Sequence, residues 1–265
     1  MKTVTDHNMI KVQPDGTETS LRPLAAEVPI SLTFNGVAHV VMMASPQDLE
    51  DFALGFALSE QIIEAPEQLT AVEVRPMENG ILVQAEIPKD QHHHLLEGRR
   101  NMVGQTGCGI CGVVELEHAI RDLPAVTAKP SASRETLFRA LESIKPLQEL
   151  NKETGAMHAA ALVSDQGDII AVREDVGRHN AMDKIVGHIH RASLARDEGF
   201  VLLTSRCSHE LVQKAIILGT PMVAAVSAPT TLAVEYAIRS GLTLVALARS
   251  DSMLCFNDPH GVFAD

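Results

Sequence analysis

Hydrophobic and polar positions change rhythm midway along the chain. In the first half, Ile30–Phe34 and Val37–Met43 are strand-like runs joined by Asn35-Gly36, the pair that suits a type I′ hairpin. Ser45-Pro46-Gln47-Asp48 then reads as a helix start. Ser45 takes the N-cap, Pro46 the first helical position, and Asp48 answers three residues on. Leu49, Phe52, Ala53, Phe56 and Ala57 give that helix one apolar face. Thr70–Val74 and Ile81–Ile87, around Asn79-Gly80, predict a second hairpin. The first half is therefore expected to be a small α+β unit over residues 27–130. Residues 1–26 are polar and mixed, and are expected to be loosely ordered.

The second half alternates. Asp168–Val172, Phe200–Thr204, Pro221–Val226 and Leu242–Ala248 are short apolar runs of buried-strand character. Helical stretches lie between them, at Asn180–Arg191, His209–Leu218 and Leu232–Ser240, and Gly219 and Gly241 stand where helix C-caps belong. Ser133 predicts a cap for a helix over 134–145. This rhythm argues for an α/β sheet with helices on both faces across residues 131–265.

Composition narrows the function classes. The chain has 265 residues, with 22 Lys+Arg against 34 Asp+Glu, for a net charge of −12. Such a chain repels phosphate backbones and anionic lipid unless it carries a local basic patch. Aromatic residues are scarce, so a stacking surface for single-stranded nucleic acid is not expected. The longest apolar runs are strand-length, too short to span a membrane. The opening MKTVTDHNMIKVQPDG lacks the apolar core of a secretory signal, so a cytoplasmic location is expected, with thiols reduced.

The sharpest chemical feature is Thr106-Gly107-Cys108-Gly109-Ile110-Cys111-Gly112, two thiols interleaved with glycines. A thiol reacts as thiolate and needs nearby positive charge or a helix N-terminus; Arg99 and Arg100 lie just upstream. Three readings of Cys108 and Cys111 compete. Zinc needs four ligands, and no second C-x-x-C exists, although His92, His93 and His94 carry ring nitrogens. A thioredoxin-type site belongs at the start of a βαβ unit, which this position is not. A sulfur-carrying cysteine suits a glycine-flanked loop best.

A second pattern repeats at four strand-to-helix junctions: Glu174-Asp175-Val176-Gly177-Arg178-His179-Asn180, Thr204-Ser205-Arg206-Cys207-Ser208, Ser227-Ala228-Pro229-Thr230-Thr231 and Ala248-Arg249-Ser250-Asp251-Ser252. Carboxyl ends of parallel strands and helix N-termini are where phosphates bind. Arg178, His179, Arg206, Ser227 and Thr230 are the candidate contacts there, although small polar residues are also what helix starts require. His158 reads as a core histidine, Cys207 as a small buried hydrophobe, and Asp183 and Lys184 as a solvated or locally paired face. The methionines read as core filler.

The C-x-x-C loop, the run Glu174–Lys184, Thr204-Ser205-Arg206 and Val226–Ala233 together resemble the FdhD family of formate dehydrogenase accessory sulfurtransferases. Val41–Pro46 and Phe52–Glu60 resemble it too, in the same order along the chain. The resemblance implies a cytidine-deaminase-like three-layer αβα domain in the second half, and a homodimer. It implies that Cys108 carries a persulfide taken from a cysteine desulfurase, with Cys111 as its partner. The acceptor would be molybdenum bound by two molybdopterin guanine dinucleotides, destined for formate dehydrogenase. The family's cofactor-binding stretch falls on Leu247, Ala248, Arg249, Ser250, Asp251 and Ser252, where 250–252 is more acidic than the family pattern. The deaminase zinc signature is not met, so neither deamination nor a permanent metal is expected. The rival reading is a chaperone that inserts the molybdenum cofactor without sulfur chemistry.

Overall fold

A computed structural model describes residues 1–91 and 122–264. The chain begins with strands β1 (Val4–Gln13) and β2 (Gly16–Ala25), paired antiparallel around Pro14-Asp15. The expectation of loose order for residues 1–26 is thus replaced by a hairpin. Its alternation is diluted by polar residues on both faces, which hides it from a hydrophobicity reading.

Strands β3 (Val28–Phe34), β4 (Val37–Ala44), β5 (Ala71–Met77) and β6 (Gly80–Glu86) form a sheet in the order β4-β3-β6-β5. Asn35 and Gly36 have φ of 50° and 77°, as a type I′ turn requires. The Asn35 side chain adds a pair of hydrogen bonds with the backbone of Ile87, each 2.9 Å. The β5–β6 turn is Glu78-Asn79, with Gly80 already paired to Met77. A Cβ on Gly80 would meet the Pro29 carbonyl oxygen at 2.4 Å.

Helix α1 is Leu49–Ser59, three residues shorter at its start than the Ser45 cap implies. Asp48 is the N-cap residue, in left-handed conformation and without a side-chain cap bond. Ser45 is diverted to a distant partner, described below. α1 is buried almost all round because it lies between the four-stranded sheet and helix α4 (Arg178–Arg191).

In the second half, α2 (Arg134–Ile144) is capped by Ser133, whose hydroxyl accepts from the Thr136 N–H. The short α3 (Glu149–Thr154) follows. Six strands then build a mixed sheet: β7 (His158–Val163), β8 (Ile169–Asp175), β9 (Phe200–Leu203), β10 (Met222–Ala225), β11 (Thr243–Ala246) and β12 (Leu254–Asn257). Their order is β12-β11-β10-β9-β7-β8. β9, β10 and β11 are parallel, while β7 runs against both β8 and β9. β8 therefore points the same way as β9, β10 and β11. Helices α5 (His209–Leu218) and α6 (Thr231–Ser240) join α4 on one face of this sheet, and α2 covers part of the other. Gly219 and Gly241 end α5 and α6 in left-handed conformation, as their positions predict.

Alternate residues of each strand serve the two faces. Leu162, Val201, Val223 and Leu244 enter the larger core, which continues through α4 and α1 into Ile30, Leu32 and Val83 of the first half. Ala161, Leu202, Ala224 and Val245 enter a smaller core with Leu137, Ala140 and Ile144. The larger core is continuous across the two halves of the chain, and its seam is the α1–α4 crossing.

That crossing depends on two glycines. A Cβ on Gly55 would lie 1.7 Å from the Asp183 carbonyl oxygen, and one on Gly187 would lie 1.9 Å from that of Asp51. Backbone meets backbone here, so no rotamer change relieves a methyl group. We predict that Gly187→Ala forces the helices apart and costs about 2–4 kcal/mol, at or above the usual range for overpacking. Urea unfolding would check it; a midpoint equal to that of the wild type would refute the crossing.

Candidate functional site

Because β8, β9, β10 and β11 run in one direction, their carboxyl ends share one sheet edge. The antiparallel β7 starts at that same edge. All four junctions singled out in the sequence therefore meet. Cys207 donates its N–H to the Ala228 carbonyl at 3.1 Å and accepts from the Thr230 N–H at 3.1 Å. The Leu247 N–H reaches the Ser227 carbonyl at 3.2 Å, and the Ala159 N–H reaches Thr204 Oγ1 at 2.8 Å. Helices α4, α5 and α6 all begin on this edge. Their free N–H groups give it a positive potential.

Three guanidiniums stand at the edge. Arg178 is half-buried, and its Nε is sequestered without a hydrogen-bond partner. Arg206 and Arg249 are exposed. None of the three forms an ion pair with the described residues. Ser227 is partly exposed and Thr230 exposed, with Thr230 Oγ1 capping α6 by accepting from the Ala233 N–H.

The neighbouring carboxylates are consumed internally. Glu174 accepts the backbone N–H groups of Leu150 and Asn151, both at 2.9 Å. Burial pushes its pKa up, against those hydrogen bonds. Glu210 lies 2.8 Å from His179 Nε2. Burial opposes its charge, but the hydrogen bond and charge of His179 prevail and hold its carboxyl below the ordinary range. Ser208 Oγ is 3.3 Å from that same ring nitrogen and donates to Glu210 at 3.2 Å. Serine and glutamate thus crowd one nitrogen, whereas a hydrolytic triad needs them on opposite nitrogens. The cluster is not a Ser–His–Glu hydrolase.

Asp175 carries the most buried interaction at the edge. It pairs with Lys184 at 2.6 Å, and both side chains are fully buried. Asp175 also accepts from Gly177 N–H, Asn180 Nδ2 and Ser45 N–H. Lys184 donates to the Ser45 carbonyl at 3.1 Å, and Ser45 Oγ accepts from the Val176 N–H. This is why Ser45 caps no helix. Asp183, one residue along, pairs at 2.8 Å with Lys214, which also holds Glu60 at 3.0 Å. Burial works against the Lys214 charge, but the two carboxylates hold its pKa above the ordinary lysine value. Asp183 and Lys184 are therefore no solvated face: α4 is covered on one side by the sheet and on another by α1.

His158 is not a core histidine. It is half-buried at the start of β7, beside Arg178, Arg206, Asp175 and His179, rather than in the core. Burial and the two arginines hold its pKa below the ordinary histidine value. His158 and Glu210 are the site residues the sequence does not reveal, because β7 is alanine-rich and lacks the β-branched signature of a strand. Leu247 has φ of 51°, an uncommon conformation for a bulky residue, and it turns the chain at the end of β11. Ala248 is buried, while Ser250, Asp251 and Ser252 are exposed, with Ser252 Oγ 3.2 Å from Asp251 Oδ1. Cys207 is fully buried and its thiol is pushed up to about 12 by burial, as a small core residue should be. Cys108, Cys111, the histidines 92–94 and the arginines 99 and 100 lie outside the described residues. Among the described residues no His/Cys/Asp/Glu cluster could hold a metal, and no helix is long and apolar enough to cross a membrane.

A mixed α/β sheet whose strand ends gather helix N-termini and arginines unpaired among the described residues is an arrangement that can hold an anion. The chain belongs to the FdhD/NarQ family, whose model matches residues 25–263. It is 45% identical over 236 residues to the sulfur carrier protein FdhD of Variovorax paradoxus, covering 89% of this chain and 85% of that one. It is 43% identical over 239 residues to that of Agrobacterium fabrum, covering 90% and 88%. A candidate formate dehydrogenase accessory protein from Desulfotalea psychrophila, 24% identical, has the same fold, with a TM-score of 0.76 over 98% of this chain and 99% of that one.

Two outcomes test this geometry. Lys184→Ala leaves Asp175 buried without its counter-ion, and should cost about 3–5 kcal/mol in chemical denaturation; an unchanged midpoint would contradict the burial. Burial both shields the Cys207 thiol and holds it protonated at pH 8. Maleimide should therefore spare it in the native protein and label it after denaturation, read by peptide mass spectrometry.

Proposed function

We propose that this protein is a sulfur carrier for formate dehydrogenase maturation. Cys108 thiolate attacks the terminal sulfur of a persulfide on a cysteine desulfurase. The desulfurase cysteine leaves as thiolate, and Cys108 retains the S–SH. Cys111 thiolate then attacks the Cys108 sulfur, closing a disulfide and releasing hydrosulfide for the molybdenum of a bis-molybdopterin guanine dinucleotide. The sulfur leaves at the sulfide level, and the two electrons come from the dithiol. A thiol reductant resets the pair.

The observation that carries the reading is the sheet edge. Arg178, Arg206 and Arg249, without carboxylate partners among the described residues and beside three helix starts, suit the pyrophosphates of two guanine dinucleotides. The names of the relatives support the sulfur role. The order β8-β7-β9-β10-β11, with β7 reversed, supports the deaminase-like reading of the second half. Sulfur transfer of this kind belongs in the reducing cytoplasm.

Intact mass spectrometry after incubation with a cysteine desulfurase and cysteine tests the carrier step. Wild type should gain one sulfur, Cys108→Ala none, and the variant should keep its fold. No gain in wild type, with nucleotide binding intact, would favour insertion of the cofactor without sulfur chemistry. Calorimetry with GDP tests the edge: Arg178→Ala and Arg206→Ala should each weaken binding about 10- to 150-fold, the scale of one charge-assisted hydrogen bond. Equal affinity in both would place the nucleotide elsewhere.

A further inference from the structure

Two exposed apolar surfaces remain outside this chemistry. The first is the β1–β2 arm, most of which precedes the region matched by the family model. Its register puts Ile10, Val12 and Leu21 on one face, with Leu21 diagonal to Ile10. They are exposed by 66%, 78% and 64%. The arm's main contact with the rest of the chain is through β2 and α3, where Arg22 Nη2 donates to the Thr154 carbonyl. A two-stranded hairpin with both faces in water is marginal at best.

The second surface is the outer face of the four-stranded sheet. Pairing sets Met43 opposite Pro29 and Val41 opposite Ser31, with Leu82 the next residue across from Ser31, so all five share that face. Met77, paired to Gly80, extends it. Val41, Met43 and Met77 are exposed by 62%, 48% and 56%, so these two methionines fill no core. The Met43 carbonyl is already taken by Asn180 Nδ2, which obstructs edge-on strand addition to β4 at that end and leaves the face as the open surface.

We propose that the arm of one copy lies across the outer face of the four-stranded sheet of a second copy, with Ile10, Val12 and Leu21 against Val41, Met43 and Met77. The arm is fastened to α3 and leaves its own sheet face bare, so within one copy the described residues cover neither surface. One strand-pair face, about 33 Å long and about 10 Å wide, presents roughly 300 Å². Two reciprocal contacts, counted on both partners, bury roughly 1,200 Å², the lower bound for a stable interface. The family resemblance implies a second copy but no contact surface; this inference supplies one and does not depend on the sulfur chemistry.

The test uses the full chain. Sedimentation equilibrium should give a wild-type dimer, and Ile10→Glu/Val12→Glu and Val41→Glu/Met43→Glu should each raise its dissociation constant at least 10-fold with unchanged circular dichroism. A photo-crosslinker at position 12, in a mixture of ¹⁵N-labelled and unlabelled chains, should yield mixed-isotope peptides joining the arm to strands β3–β6. Single-isotope products alone, a monomeric wild type, or a dimer unmoved by both charged pairs would overturn the proposal. Sulfur loading of Cys108, measured on the same charged variants, reports separately on the carrier reading.

Discussion

Burying Asp175 against Lys184 is the constraint on which the site depends. Two full charges removed from water are tolerated only when every remaining lone pair and proton is satisfied. Here the satisfaction comes from three parts of the chain: the end of β8, the first turns of α4 and the β4–α1 connection at Ser45. Ser45 is 130 residues from Asp175 in sequence. The ion pair therefore does more than fill a core. It fixes where α4 begins relative to the sheet, and hence where Arg178 and His179 stand.

The same helix explains why the two halves behave as one body. Gly55 and Gly187 let α1 and α4 approach backbone to backbone. Asp183, whose carbonyl lies at that contact, and Lys184 beside it are both buried. Asp183 must find Lys214, and Lys184 must find Asp175. The close crossing and the two buried ion pairs thus meet on the same turns of α4.

What the sequence discloses follows from the range of each interaction. The Asn35-Gly36 turn and the C-caps at Gly219 and Gly241 are local demands on φ, and each is written in adjacent residues. The strand–helix rhythm of the second half is nearly as local, and it already names the junctions that become the sheet edge. Ser45 shows the limit. Ser-Pro-Gln-Asp is a sound helix start by local rules, yet the Val176 N–H, far along the chain, takes Ser45 Oγ in place of the local N–H groups, and Asp175 accepts the Ser45 N–H. His158 was hidden because its strand is built of alanines, and strand β7 must be known before its first residue can be seen to join the edge. Glu210 has no signal of its own, since its role exists only where α4 and α5 start side by side.

Charge accounting at the edge goes one step further. The chain carries twelve more acidic than basic residues, so carboxylates are plentiful. Arg75, Arg139, Arg173, Arg191 and Arg239 each have one within reach. At the sheet edge the pattern reverses. Asp175, Glu174 and Glu210 are drawn inward to Lys184, to backbone N–H groups and to His179, while Arg206 and Arg249 are exposed and the half-buried Arg178 has no ion pair among the described residues. Scarcity of acid cannot explain unpaired arginines in such a chain. The fold instead spends its nearby carboxylates on internal partners, and the potential that remains at the edge is positive. Asp251 is the exception, an exposed carboxylate beside Arg249 on the stretch that departs from the family pattern. Its position on the last junction makes that end of the edge less positive than the Arg178–Arg206 end.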